Sequence, residues 1–182
     1  GKLIWFHGAS VGEILSVVPL IKYYEKKKII KQILITSSTL SSSKVLEKFR
    51  FKKTIHQFYP IDHLIFTNKF LKYWRPSVAL FIDSEVWPCM FKRINEKNIP
   101  LILLNARITP KTFKRWKKIK NFAHSVFDRI SFAYPQNLET KNFLKKLKTK
   151  KINHLGNLKF AENDNDNLTE INKKLKNEFN KK

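Results

Sequence analysis

The residues of this chain best suited to chemistry stand at its start, in the run KLIWFHGASVGE that begins at Lys2. Glu13 follows Ser10 by three residues, where a short apolar run gives way to helical spacing. In the first turn of a helix, unpaired backbone N–H groups and the positive end of the dipole hold a carboxylate ionised, so it takes a proton only when a substrate is in place. The same spacing describes a capping box, with Ser10 as cap and Glu13 closing it, and spacing alone leaves both readings open. Gly8 and Gly12 allow a ligand to approach the backbone. His7 reads equally as a ligand contact and as a residue that supports one.

A second group is Asp83-Ser84-Glu85-Val86-Trp87-Pro88, directly after the apolar run Val78 to Ile82. Two carboxylates two residues apart point the same way if the strand conformation persists. They suit holding a sugar hydroxyl, orienting a base or ligating a divalent cation, and with no histidine nearby the cation is weakly supported. Alternatively one of them caps a helix starting near Pro88, whose ring suits a first helical turn. The third group is Asn105-Ala106-Arg107, where the planar guanidinium fits phosphate or carboxylate, with Lys111 on the basic helix that follows. The hydroxyls of Thr36-Ser37-Ser38-Thr39 serve either to cap a helix or to hold a phosphate at its N-terminus, capping being the simpler use. Asp62 reads as a helix-start residue as much as a site residue.

Elements that position these groups follow from the hydrophobic period. Apolar runs near Leu3, Ile33, Ile55, Val78, Leu101 and Ile130 read as buried strands. Between them lie helical patterns from Ile14, from Ser42 to Phe49, from Leu64 to Trp74, from about Pro88, across a break near Lys120-Asn121, and on to Leu147. Alternation of this kind predicts a Rossmann-like three-layer α/β domain with a parallel sheet, its site residues gathered at the carboxyl edge of the strands. Ser10, Thr36, Asp83 and Arg107 are expected near that edge.

Composition narrows the partners. The chain has 182 residues, 42% of them apolar, with 37 basic against 14 acidic side chains and a net charge of +23. That length holds one domain with a real core. The charge calls for an anionic partner: nucleic acid, a phosphorylated molecule or an acidic membrane surface. A basic nucleic-acid-binding module, with Trp74 and Trp116 as stacking platforms, is the non-enzymatic reading. The single cysteine, Cys89, excludes an internal disulfide and a cysteine-based metal cluster.

Seven blocks in order along the chain resemble the N-terminal half of the bacterial 3-deoxy-D-manno-octulosonic-acid (Kdo) transferases. They are Trp5 to Glu13, Thr36 to Thr39, Pro60-Ile61-Asp62, Asp83 to Pro88, Asn105-Ala106-Arg107, Gln136-Asn137 and Gly156 to Phe160. The resemblance implies a GT-B glycosyltransferase that moves Kdo from CMP-Kdo to the phosphorylated lipid A precursor, lipid IVA, with inversion and without a cofactor or metal. It implies Glu13 as the catalytic base, and Ser10, Gly12, Thr39, Asp83, Glu85, Arg107 and Lys111 as acceptor contacts. Gln136, Asn157 and Lys159 would face the donor or the domain junction. Asp83, Val86 and Cys89 depart from the family's Glu-x-Glu-Leu-Trp-Pro-Asn block, and Ala161 replaces a frequent Asp. The domain expected is 1–160, with 161–182 as linker to a donor-binding half absent from this chain, so the isolated chain is expected to be catalytically silent. The resemblance also implies the cytoplasmic face of the inner membrane as location, with the family's anchor segment absent here, and no nucleic-acid partner.

Overall fold

The computed structural model describes residues 1–153. The elements are β1 (Lys2–His7), α1 (Val11–Glu25), β2 (Ile30–Ser37), α2 (Leu40–Glu47), β3 (Thr54–Phe58), α3 (Leu64–Trp74) and β4 (Val78–Ile82). They continue with α4 (Pro88–Glu96), β5 (Leu101–Ala106), α5 (Pro110–Lys118), α6 (Lys120–Phe127), β6 (Phe132–Pro135) and α7 (Leu138–Lys146). The sheet has six strands in the order β3-β2-β1-β4-β5-β6, and every pairing is parallel. This is the doubly wound Rossmann-like arrangement that the alternation of elements predicts.

Strand residues alternate between two cores. Ile4, Phe6, Ile33, Ile35, Leu80 and Ile82 pack against α1 and Leu46 of α2. Trp5, Leu34, Ala79, Phe81 and Leu103 pack on the other face against α3, α4, α6 and α7. Both faces are covered, and for that reason the central strands carry uninterrupted apolar runs.

Some boundaries differ from expectation. The run Ile130 to Ala133 is not all strand: Ile130 is buried and its N–H bonds to Phe127 O, finishing the turn after α6, so β6 starts only at Phe132. The second helix begins at Leu40, earlier than Ser42, and ends at Glu47. The expected break near Lys120 falls at Ile119, whose φ of −118° and ψ of 51° interrupt the helical ladder between α5 and α6.

Because all strands run the same way, the residues after β1, β2, β4 and β5 share one edge. The chain reverses direction of winding between β1 and β4, which are neighbours in the sheet. At such a switch point the two following loops diverge and leave a crevice. Ser10, Gly12 and Glu13 follow β1; Asp83 and Glu85 follow β4.

Candidate active site

Glu13 sits in the first turn of α1, whose N-cap is Ser10. The capping-box reading holds in modified form. Glu13 N–H donates to Ser10 Oγ at 3.3 Å, and the Ser10 hydroxyl donates to Glu13 Oε1 at 2.9 Å. The other carboxylate oxygen accepts the N–H of Ala9 at 2.8 Å, one residue before the cap. These bonds fix the carboxylate, yet each oxygen keeps a second lone pair for a substrate proton. Burial pushes the Glu13 carboxyl above its ordinary value; the bonds from Ala9 and Ser10 counter this, and the negative charges of Glu85 and Asp83 add to it. A carboxylate raised in this way is a better base than the dipole argument alone predicts.

The two glycines of the corner differ in purpose. A Cβ at Gly8 would lie 3.0 Å from Glu13 Cβ, 3.2 Å from Ile14 Cδ1 and 3.3 Å from Ile82 Cδ1. Gly8 is therefore needed for the close approach of β1, α1 and β4. A Cβ at Gly12 would meet nothing within 4 Å, so its surroundings are open to a ligand.

Across the switch point, His7 is fully buried at the end of β1. Its Nε2 lies 3.1 Å from Glu85 Oε2, and the indole N–H of Trp87 donates to the same oxygen at 2.8 Å. On its other side, Nδ1 lies 3.0 Å from Thr36 Oγ1, which accepts the Trp5 indole N–H at 2.9 Å. Nδ1 also lies 3.2 Å from the Thr36 carbonyl oxygen, and the Thr36 hydroxyl donates to Phe6 O at 3.5 Å. Tyr59 stacks on His7 with ring centroids 4.0 Å apart, and burial holds its phenol well above the ordinary range. His7 is thus a supporting residue, and its partner at Glu85, far along the chain, carries no local sequence signal.

The Asp83–Glu85 pair does not keep the strand conformation. β4 ends at Ile82, and Asp83 is left-handed at φ 62°. Its N–H donates to Leu104 O and its carbonyl accepts the N–H of Arg107, tying the ends of β4 and β5 together. Asp tolerates this conformation better than most residues. The extended backbone that would align the two carboxylates is thus absent, although both lie near enough to act on Glu13.

Neither acid caps α4. That helix begins at Pro88 after Trp87, which offers no side-chain cap. Asp62 performs this role from the loop after β3: its Oδ2 accepts the N–H of Cys89 at 3.0 Å and its Oδ1 that of Met90 at 2.7 Å. The start of α3 is capped instead by His63. The expected capping by Thr39 also differs, since its hydroxyl meets Ser42 Oγ at 2.8 Å and bonds no helix N–H.

Arg107 and Lys111 are exposed, beside the start of α5. Gln136 is half-buried, with its N–H on Ala106 O, and Asn137 caps α7 through Thr140 N–H. Asn157 and Lys159, with the rest of the Gly156 to Phe160 block, lie outside the described residues. Trp74 and Trp116 are half-buried, packed against Phe70 and Phe127 respectively. Rings used in this way are poor stacking platforms, which removes the aromatic half of the nucleic-acid reading.

A family model described as 3-deoxy-D-manno-octulosonic-acid transferase (kdotransferase) matches residues 1–162. The chain belongs to the Kdo transferase family. Among its relatives, the 3-deoxy-D-manno-octulosonic acid transferase of Rickettsia felis is 42% identical over 88% of this chain. The Haemophilus influenzae enzyme of the same name is 28% identical over 91% of it. The chain spans about a third of the curated relatives it matches, 34% of the Rickettsia felis protein. Among solved structures, a Staphylococcus aureus MnaA–UDP complex superposes with a TM-score of 0.62 at 14% identity, over 87% of this chain and 44% of that one. A Neisseria meningitidis UDP-GlcNAc 2-epimerase gives 0.60 at 16% identity, over 87% and 47%. At these identities the likeness is one of fold, a Kdo transferase N-terminal half built on the GT-B plan.

Proposed function

We propose that this chain is the acceptor-binding half of an inverting Kdo transferase in lipopolysaccharide biosynthesis, in which Glu13 is the general base. In this reading residues 1–160 form the acceptor domain and 161–182 lead toward a donor-binding half that holds CMP-Kdo. The acceptor is the phosphorylated lipid A precursor, lipid IVA. Its sugar hydroxyl attacks the anomeric carbon of Kdo, the bond from that carbon to the CMP oxygen breaks, CMP leaves with the electron pair, and the hydroxyl proton passes to Glu13. A sugar hydroxyl is a poor nucleophile until a base takes its proton in the transition state.

The observation that carries this reading is the state of Glu13: a half-exposed carboxylate at the switch crevice, its pKa raised by burial and by Glu85 and Asp83. Around it, Ser10 orients the base and Gly12 leaves room for the acceptor. Asp83, Glu85 and Thr39 are assigned to acceptor hydroxyls, and Arg107 and Lys111 to its phosphates. Gln136, Asn157 and Lys159 are assigned to the donor side or the domain junction.

The lipid end of the acceptor and the inner-membrane surface are assigned to the same edge. Ile61, Leu64, Ile65 and Phe66 are exposed around the start of α3, with Lys69 and Lys72 exposed one and two turns on. Exposed apolar side chains rimmed by lysine suit an anionic bilayer interface. No helix among the described residues is long and apolar enough to cross a membrane. The proposed location is the cytoplasmic face.

The test is transfer by the protein with its donor-binding half, incubated with CMP-Kdo and lipid IVA under saturation. Glu13→Gln is expected to cut turnover by roughly two to four orders of magnitude with little change in acceptor binding. Arg107→Ala should chiefly weaken acceptor binding. Wild-type turnover in Glu13→Gln would pass the role of base to Asp83 or Glu85.

A further inference from the structure

We propose that the concavity between α5, α6 and α7 is a second anion site, for a ligand carrying clustered phosphate groups. It is independent of the Glu13 corner. The concavity encloses about 430 Å³, and five lysines line it: Lys117, Lys120, Lys145, Lys146 and Lys148. His124 completes the polar lining. The walls are Phe113, stacked on Phe143 at 4.3 Å, and Trp116, set edge-on against Phe127 at 5.3 Å.

Among the described residues, nothing acidic lines this hollow. α5 and α6 contain no Asp or Glu. The single acid of α7, Glu139, is in its first turn, whereas the lining lysines lie at its far end. Asp128, just beyond α6, is engaged by Lys150 at 3.4 Å. Like charges lining one hollow repel one another, and an anion among them relieves that repulsion.

Helix ends account for only part of the cluster. Lys117, Lys145 and Lys146 stand in the last turns of α5 and α7, where a cation complements the dipole. Lys120 stands in the first turn of α6, where a cation is disfavoured. Its presence beside the others is explained by an anion shared among three helices. Lysine is a compact donor that meets a phosphate as a point charge, and five of them suit more than one phosphate. The packed aromatic walls back the hollow, and its five lysines are exposed to solvent.

The site also stands apart in place. α7 leaves the carboxyl end of β6 and runs toward the opposite edge of the sheet, so its last turn lies away from Glu13. The same phosphate chemistry is offered by a soluble polyphosphate or by the headgroups of an anionic bilayer.

The experiment titrates the 182-residue chain with inorganic tripolyphosphate, and separately with phosphatidylcholine vesicles containing phosphatidylglycerol, at one fixed salt concentration. The variant Lys120→Ala/Lys145→Ala/Lys148→Ala should lose about tenfold or more in affinity for at least one probe, as expected when charge-assisted bonds go. The control Lys28→Ala/Lys48→Ala/Lys52→Ala removes the same charge from exposed positions outside the hollow and should change affinity by less than about twofold. The probe that shows this difference identifies the source of the phosphate. Equal losses in the two variants, or no binding of either probe, would overturn the proposal, and unchanged circular dichroism of the variants excludes misfolding as the cause.

Discussion

Helix α1 opens and closes on a glutamate, and the two are shifted in opposite directions. At Glu13, burial and the charges of Glu85 and Asp83 outweigh the bonds from Ala9 and Ser10, and the carboxyl is raised. At Glu25, burial also acts to raise it, but the Thr54 hydroxyl and the N–H groups of Lys53 and Lys52 prevail and the carboxyl is lowered. Those three bonds measure 2.7, 2.9 and 3.1 Å. They clamp the end of α1 to the segment entering β3, where the dipole alone would reject an acid. A carboxylate surrounded by fixed donors is a structural part. One surrounded by other carboxylates, on an open edge, is equipped to receive a proton.

The comparison breaks first on activity. In the protein with the proposed donor-binding half, the expected loss of roughly two to four orders of magnitude for Glu13→Gln should have no counterpart in Glu25→Gln, which should keep transfer within about threefold of wild type. Comparable losses in both would mean that the assay reads the integrity of α1 rather than proton transfer at one end of it.

Packing around the Glu13 end of α1 supplies the next effect. Gly8→Ala forces a Cβ to 3.0 Å from that of Glu13 and should cost about 1–3 kcal/mol in urea denaturation, the usual range for overpacking. Gly12→Ala meets open space and should be neutral or stabilise by up to about 1 kcal/mol, as a helical glycine replaced by alanine does. If acceptor approaches there, Gly12→Ala still weakens acceptor binding. Asp62→Ala, which frees two amides at the start of α4, should cost about 0.5–2 kcal/mol in the same measurement. Equal stability of Asp62→Ala and wild type would show that water replaces the cap at no cost.

Much of the fold was legible because the two cores sit on opposite faces of one sheet. Strands such as Val78 to Ile82 are buried on both sides and carry no polar residue to mislead a periodicity argument. The Glu13 corner was legible for a related reason, since Ser10, Ala9 and Glu13 are all local. What sequence spacing missed depends on distant partners. Asp62 reaches a helix 27 residues further on, and His7 reaches Glu85 across 78. A capping rule built on neighbours offered the nearer acids for α4, and the left-handed turn at Asp83 removed the extended geometry on which the parallel projection of the two carboxylates rested. Ile130 misled for another reason: an apolar residue closing a helical turn is as buried as one in a strand.

The smallest effect, and the one that isolates the two glutamates from everything else, is the pH dependence of stability. An acid whose folded pKa lies above its unfolded value binds its proton more tightly in the native state, so stability falls as pH rises through the interval between the two. For Glu13 that interval starts near 4.5 and extends upward. Glu13→Gln lacks this titration, so its melting temperature relative to wild type should be flat at low pH and move in the variant's favour as pH rises through the interval. Glu25 has the opposite sign: its folded pKa lies below 4.5, its contribution is present above that value and is lost as pH falls. Glu25→Gln should therefore be less stable than wild type at neutral pH, with the gap closing on acidification. Groups distant from the two glutamates titrate alike in the three proteins and cancel in the differences. Melting curves across this range give two difference profiles of opposite slope; profiles of the same sign would mean that the bonds from Ala9 and Ser10 dominate at Glu13, leaving it a cap like any other.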